Sequence, residues 1–240
     1  MMKRAIVIGA SSGIGLEVAR LLKERGWTVG VAARRMERLA EFETAAQIDV
    51  TSEDAGQQLT ELIERLGGME LYFHASGIGK QNHDLQEDIE LQTMETNATG
   101  FTRMVGTAYR YMAAHGGGHI AVISSIAGTK GLGPAPAYSA TKALQNTYIE
   151  ALQQQANARK LNIRFTDLRP GFVDTDLLRP HTTGDRQRYP ILLEPKAVAR
   201  DIVCSIERHR HIRVIDWRWR IITAVWRFAP RWLWRHIDLT

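Results

Sequence analysis

The sequence predicts a doubly wound α/β fold, a parallel sheet with helices on both faces, and three observations carry that expectation. Short apolar runs alternate with longer amphipathic stretches along most of the chain, and strand–helix alternation at crossover spacing builds βαβ units. The first apolar run passes directly into a glycine-rich turn and then into a helical pattern. The length, 240 residues, suits one large α/β domain better than two small ones.

In chain order, strands are expected at residues 5–8, 28–33, 45–48, 70–74, 119–124, 163–168 and 212–215, about seven in all. Helices are expected at 13–25, 36–43, 52–66, 86–114, 136–159 and 195–209. The opening run Ala5-Ile6-Val7-Ile8 is wholly apolar, as a strand buried on both faces must be, and is too short for a signal peptide. It leads into Gly9-Ala10-Ser11-Ser12-Gly13-Ile14-Gly15. At such a helix start the free backbone amides and the positive end of the helix dipole suit a pyrophosphate. Glycines let the backbone turn tightly and approach phosphates without a Cβ clash. After the second strand comes Arg34-Arg35, after the third Asp49-Val50, and after the fourth His74-Ala75-Ser76-Gly77. The helix at 86–114 carries Asn97 near its middle. Ser124 ends the fifth strand and Ser125 follows it, and the helix at 136–159 carries Tyr138 and Lys142 at i and i+4, so both side chains share one face. Pro170-Gly171, Val173 and Thr175 follow the sixth strand.

The glycine spacing, the serine thirteen residues before a Tyr-x-x-x-Lys, Asn97 and Pro170-Gly171 occur together in one order. In that set the chain resembles the short-chain dehydrogenase/reductase (SDR) family, over about residues 1–215. Two positions depart from the family pattern. Ile8 stands where the family has a threonine, and His74-Ala75-Ser76-Gly77 replaces Asn-Asn-Ala-Gly, keeping only Gly77. The resemblance implies a Rossmann fold with three α/β/α layers. It implies an oxidoreductase that moves a hydride between a nicotinamide cofactor and a carbonyl or secondary alcohol. Homodimers or homotetramers would form through the long helices.

The same resemblance places the cofactor on Gly9, Ser11, Ser12, Gly13, Ile14 and Gly15, on Asp49 and Val50 beside the adenine, on Ala75, Ser76 and Gly77, on Tyr138 and Lys142, and on Pro170, Gly171, Val173 and Thr175. NAD enzymes usually end the second strand in an acid that binds the ribose 2′-hydroxyl. Here that position is Ala33, and a guanidinium follows at once. A 2′-phosphate would repel an acid and would pair with an arginine fork. The expected cofactor is therefore NADP(H) rather than NAD(H), with Arg34 the main contact and Arg35 the lesser one. The basic position that some family members use inside the glycine turn is Ser12.

A free phenol, with a pKa of about 10, cycles poorly at neutral pH, and a neighbouring ammonium favours phenolate. Tyr138 is the expected acid/base and Lys142 its tuner, with Ser125 bonding the carbonyl oxygen. By resemblance Lys142 also binds the nicotinamide ribose, and Asn97 holds a water that links Lys142 to solvent. Ser124 is a rival for the serine role. Tyr148 is a weaker rival to Tyr138, because its i+4 position is Leu152. Substrate specificity is expected in the loop at 176–194, which mixes Leu177, Leu178, Tyr189, Ile191, Leu192 and Leu193 with His181, Asp185, Arg186 and Arg188. The opposite wall is expected at 126–136, with Leu132 and Pro134.

The single cysteine, Cys204, excludes a disulfide framework and a cysteine zinc site, and no metal is expected. No apolar run approaches the roughly 18 residues of a membrane span, so the default address is cytoplasmic. The net charge of +5 sits in the tail: residues 208–240 hold eight arginines against two aspartates, +6, which leaves −1 on the rest. Five of the six tryptophans also lie there. Composition changes abruptly near 213–217, which divides a catalytic domain at 1–215 from an extension at 216–240. A helix is expected at 217–228 and a second, short one from Pro230. Arg213, Arg220, Arg227 and Arg231 would share one face, with Ile221, Ile222, Val225 and Trp226 on the other. Such a helix either lies on an anionic membrane or packs on the body or another subunit. No reader motif supports nucleic-acid binding. Two alternative functions stand beside the main one: a membrane-surface reductase of 3-keto lipids, and an NADPH-binding regulatory or scaffold protein.

Overall fold

The computed structural model describes residues 3–178 and 189–237, apart from the side chain of Arg231. Seven parallel strands form one sheet: β1 (Arg4–Ile8), β2 (Thr28–Ala33), β3 (Thr44–Gln47), β4 (Leu71–His74), β5 (Gly118–Ile123), β6 (Ile163–Arg169) and β7 (Ile212–Val214). Their order is β3-β2-β1-β4-β5-β6-β7. The helices are α1 (Gly13–Glu24), α2 (Ala55–Leu66), α3 (Glu87–Met94), α4 (Phe101–Ala114), α5 (Pro136–Ala158), α6 (Pro195–Glu207), α7 (Trp217–Phe228) and α8 (Arg231–Trp234).

Alternation along the strands builds two cores. Ile6 and Ile8 of β1 join Tyr72, Ile120 and Phe165 in the core under α2, α4 and α5. Ala5 and Val7 join Phe73, Ala121 and Leu168 in the core under α1 and α6. Strands buried on both faces read as continuous apolar runs, which is why β1 was legible. On α2 the residues Leu59, Leu62, Ile63 and Leu66 fall at one helical stripe, all buried.

Two elements differ from expectation. Instead of a helix over 36–43 the chain makes one 3₁₀ turn, Met36–Leu39. Leu39 and Phe42 both dip into the core, and the chain must already pair Thr44 with Gly30 of β2. The expected helix at 86–114 is interrupted by a π-helical segment, Glu95–Gly100, between α3 and α4. Such widened turns free main-chain groups for other partners.

β1 lies between β2 and β4, so the winding reverses there. In open parallel sheets that switch point, at the carboxyl ends of the strands, opens the ligand crevice. After β7, Asp216 takes a positive φ of 74° and its carboxylate caps α7 by accepting from Arg218 N. The chain turns there, and α7 packs back over the crevice edge.

Candidate active site

A cavity of about 1340 Å³ opens at the switch point. One end is the glycine turn. Gly9 has φ +87°, and a Cβ there would fall 2.6 Å from Ser76 N, so only glycine lets the turn sit on the loop after β4. Ser12 caps α1 in extended conformation without a side-chain bond to the helix, leaving the first amides to face the cavity. A row of α1 amides beside a backbone-lined concavity fits a dinucleotide pyrophosphate. All the expected cofactor positions line this one cavity: Gly9, Ser11 to Gly15, Arg34, Arg35, Asp49, Val50, Ala75 to Gly77, Tyr138, Lys142, Pro170, Gly171, Val173 and Thr175. Gly13 faces the Thr175 methyl, so the loop after β6 closes against the glycine turn.

The two arginines are placed differently. Arg35 Nη2 donates to Ser11 Oγ at 3.2 Å and Ser12 Oγ at 3.1 Å, over the turn itself. Arg34 lies toward Asp49. Burial pushes the Asp49 carboxyl up, but bonds from Thr51 and the Arg34 charge hold it below its ordinary value. Position 74 does not reach the cavity. The His74 ring is buried, with Nδ1 2.8 Å from Tyr72 OH and its edge against Phe101. Burial, with a contribution from the Lys142 charge, holds its pKa down at about 3.

Ser125, Tyr138 and Lys142 line the same cavity. Ser124 Oγ donates to the Asp167 carboxylate in the core, whereas Ser125 lines the cavity with Tyr138, its Oγ accepting from Ala127 N at 3.1 Å. The geometry thus separates the two serines. Tyr148 packs against Phe101 and does not line the cavity. Burial pushes the Tyr138 phenol above its ordinary value and the neighbouring Ser125 hydroxyl pulls it part of the way back. The expected lowering by Lys142 does not appear among the influences on the phenol, and its Nζ lies 5.6 Å from the ring centroid. Lys142 is itself buried, which lowers its pKa to about 8 against the raising pull of Asp167.

Asn97 lies in the π segment and is wholly buried, outside the cavity lining. Its Oδ1 accepts from Ile78 N at 2.9 Å and its Nδ2 donates to Ile78 O at 2.7 Å, clamping the loop after β4. Its main-chain carbonyl accepts from Gln145 Nε2 at 2.8 Å, and Gln145 Oε1 in turn accepts from Lys142 Nζ at 2.9 Å. Gln145 thus joins the Asn97 main chain to Lys142 through one side-chain amide. Sequence reasoning missed Gln145, although it is a polar residue one turn after Lys142 on a face that must be buried. It also missed Gly79, where a Cβ would fall 2.8 Å from the Tyr138 ring.

The far end of the cavity is apolar and aromatic. Leu132 and Pro134 form one wall, and Leu177, Leu178 and Tyr189 form the other, as expected. Leu193 instead packs on the core and pairs with Val173 as an isolated bridge. His181, Asp185, Arg186 and Arg188 lie outside the described residues. The wall that sequence reasoning missed is the tail. Trp219, Ile222, Trp226, Trp234 and Ile237 all line the cavity. Trp219 is 4% exposed, stands edge-on to Phe172 at 5.6 Å, and sits where a Cβ on Gly171 would be. Trp226 Nε1 donates to Thr129 Oγ1 at 2.8 Å and Trp234 Nε1 to Gly131 O at 2.7 Å. The expected arginine face is therefore corrected. Arg213 belongs to β7 and pairs with Asp201, Trp226 turns inward with Trp219, and Ile221 and Val225 face solvent.

The sequence profile of the short chain dehydrogenases matches residues 3–186. An uncharacterized oxidoreductase of Staphylococcus aureus is 28% identical over 223 residues, 88% of this chain and 94% of that one. An actinorhodin polyketide ketoreductase variant, crystallised with NADPH, is 27% identical with a TM-score of 0.77, covering 89% of this chain and 95% of that one. A short chain dehydrogenase from Burkholderia cenocepacia J2315 in complex with NADP shares the fold, with 20% identity and a TM-score of 0.79 over 93% of this chain and 92% of that one.

Proposed function

The chain belongs to the short chain dehydrogenase family, and from that premise we propose that it is an NADP(H)-dependent carbonyl reductase or alcohol dehydrogenase with Tyr138 as acid/base. The observation that carries the reading is that Ser125, Tyr138 and Lys142 line the same cavity as the glycine turn and the apolar walls. The α1 amides and the glycine turn hold the pyrophosphate, Asp49 and Val50 flank the adenine, and Arg34 and Arg35 hold the 2′-phosphate. The relatives crystallised with NADPH and NADP support the phosphorylated cofactor. When bound, the nicotinamide supplies the hydride.

The side chains supply the rest. Ser125 bonds the substrate carbonyl oxygen and stabilises the alkoxide that develops there. Tyr138 OH gives that oxygen its proton in reduction and takes it back in oxidation. The Lys142 ammonium favours the phenolate left behind. Gln145 holds Lys142 in place, and Asn97 fixes both Gln145 and the loop after β4. The apolar and aromatic end suits a medium-sized to large apolar ketone, and the similarity to a polyketide ketoreductase supports a ketone as the substrate class.

The test is turnover across a panel of apolar ketones with each reduced cofactor. NADPH should be preferred over NADH by about tenfold or more in kcat/KM, since a paired 2′-phosphate is worth at least about 1.4 kcal/mol. Substituting Arg34 and Arg35 together by Ala should erase the preference. Equal use of the two cofactors by the unaltered chain would contradict the assignment.

A further inference from the structure

The helices that wall the cavity carry a second apolar face on the outside. Trp217, Ile221, Val225 and Phe228 are 64%, 56%, 67% and 88% exposed, and Trp232 on α8 is 65% exposed. At about 100° per residue the four on α7 fall within one quarter of the helix circumference. The inward set, Trp219, Thr223 and Trp226, lies on the opposite side and already has its partners. Large aromatic side chains held out to solvent in a continuous strip mark a surface that meets something apolar.

The charges say what. Arg220 and Arg227 flank the strip on one side and Arg218 on the other. Arg218 is tied to Asp216, but among the described residues no carboxylate pairs with Arg220 or Arg227. From Trp217 to Ile237 the sequence holds five arginines and no acid. A second copy meeting this face across a two-fold would set arginine against arginine. An anionic partner with an apolar interior meets both requirements at once. Twelve residues of helix reach about 18 Å, well short of a bilayer's hydrocarbon thickness of about 30 Å. No described helix is long and apolar enough to cross a membrane.

We infer that the outer face of α7 and α8 docks on the surface of an anionic lipid bilayer, with Trp217, Ile221, Val225, Phe228 and Trp232 in the headgroup–acyl boundary and Arg220 and Arg227 on lipid phosphates. This is the arrangement of an interfacial amphipathic helix. Ile222 and Ile237 line the cavity while remaining 36% and 43% exposed, so the cavity rim lies at the edge of the docking face.

The test is vesicle sedimentation of the full chain, with Val225→Gln/Phe228→Gln and Arg220→Gln/Arg227→Gln as variants. None of these four residues lines the cavity, and an unchanged circular dichroism melt shows that the variants fold. Binding to vesicles containing phosphatidylglycerol should exceed binding to phosphatidylcholine alone by about tenfold or more, and should weaken in high salt and in the arginine variant. The Val225/Phe228 variant should stay in the supernatant. The inference is overturned if the full chain ignores anionic vesicles, if it binds both lipids equally, or if the Val225/Phe228 variant sediments like the unaltered chain. It is overturned equally if those substitutions break a dimer seen by sedimentation velocity while vesicles are ignored, since the face then belongs to a second copy.

Discussion

Lys142 is a buried cation on the wall of the cavity. Burial lowers its pKa from 10.5 to about 8, so the ammonium is intact below that pH and is lost as pH rises through it. In kcat/KM for NADPH, which reports the free enzyme, activity should fall on the alkaline side with an apparent pKa near 8. Gln145 Oε1 accepts from that ammonium and so favours the charged form. Gln145→Leu should therefore move the alkaline limb down by about one pH unit, the effect of losing one hydrogen bond to a charged group. Gln145→Glu should move it up. A limb that stays in place in both variants would mean that Gln145 only fills space. At this scale the grouping of Ser125, Tyr138 and Lys142 was legible, because the helix and strand that carry them fix their spacing. The sequence did not show Gln145 bridging to Asn97. That bond spans 48 positions and depends on a π turn whose carbonyl is freed by the fold, not by local pattern.

Among the elements, the loop after β6 and helix α7 are coupled through one contact. Gly171 leaves the space that the Trp219 indole fills, and Trp219 is nearly fully buried against Phe172. Trp219→Ala should cost about 3 kcal/mol in denaturant unfolding, the usual range for emptying a buried aromatic site. Gly171→Ala should destabilise the unaltered chain by driving a methyl group into the indole, yet cost little in the Trp219→Ala background. Additive losses in that double-mutant cycle would show that the two do not share a space. The strands were legible to within a residue or two, since continuous apolar runs leave few options. The tail helix was legible in extent but not in orientation. With apolar residues on two faces, periodicity alone cannot say which face packs, and the choice is made by Gly171, Thr129 and Gly131 on the body. The segment at 36–43 misled for a related reason: its helical pattern is overridden by the short path back to β3.

For the whole molecule, the doubly wound sheet places the glycine turn, the Ser125–Tyr138–Lys142 group and the aromatic wall on one cavity. The order of these parts was readable from the order of the motifs, because a parallel sheet puts every loop that follows a strand at the same edge. The outer wall was not readable, because it is supplied by the last helices, which return to the cavity only after the turn at Asp216. If this cavity reduces a carbonyl with Tyr138 as proton donor, Tyr138→Phe removes the proton and little else; the measurement is turnover of a reactive apolar ketone alongside NADPH affinity by fluorescence titration. The kcat should fall by about a hundredfold or more, the scale of a lost general acid, while the NADPH dissociation constant changes less than about threefold. A variant that keeps most of its turnover would contradict that role.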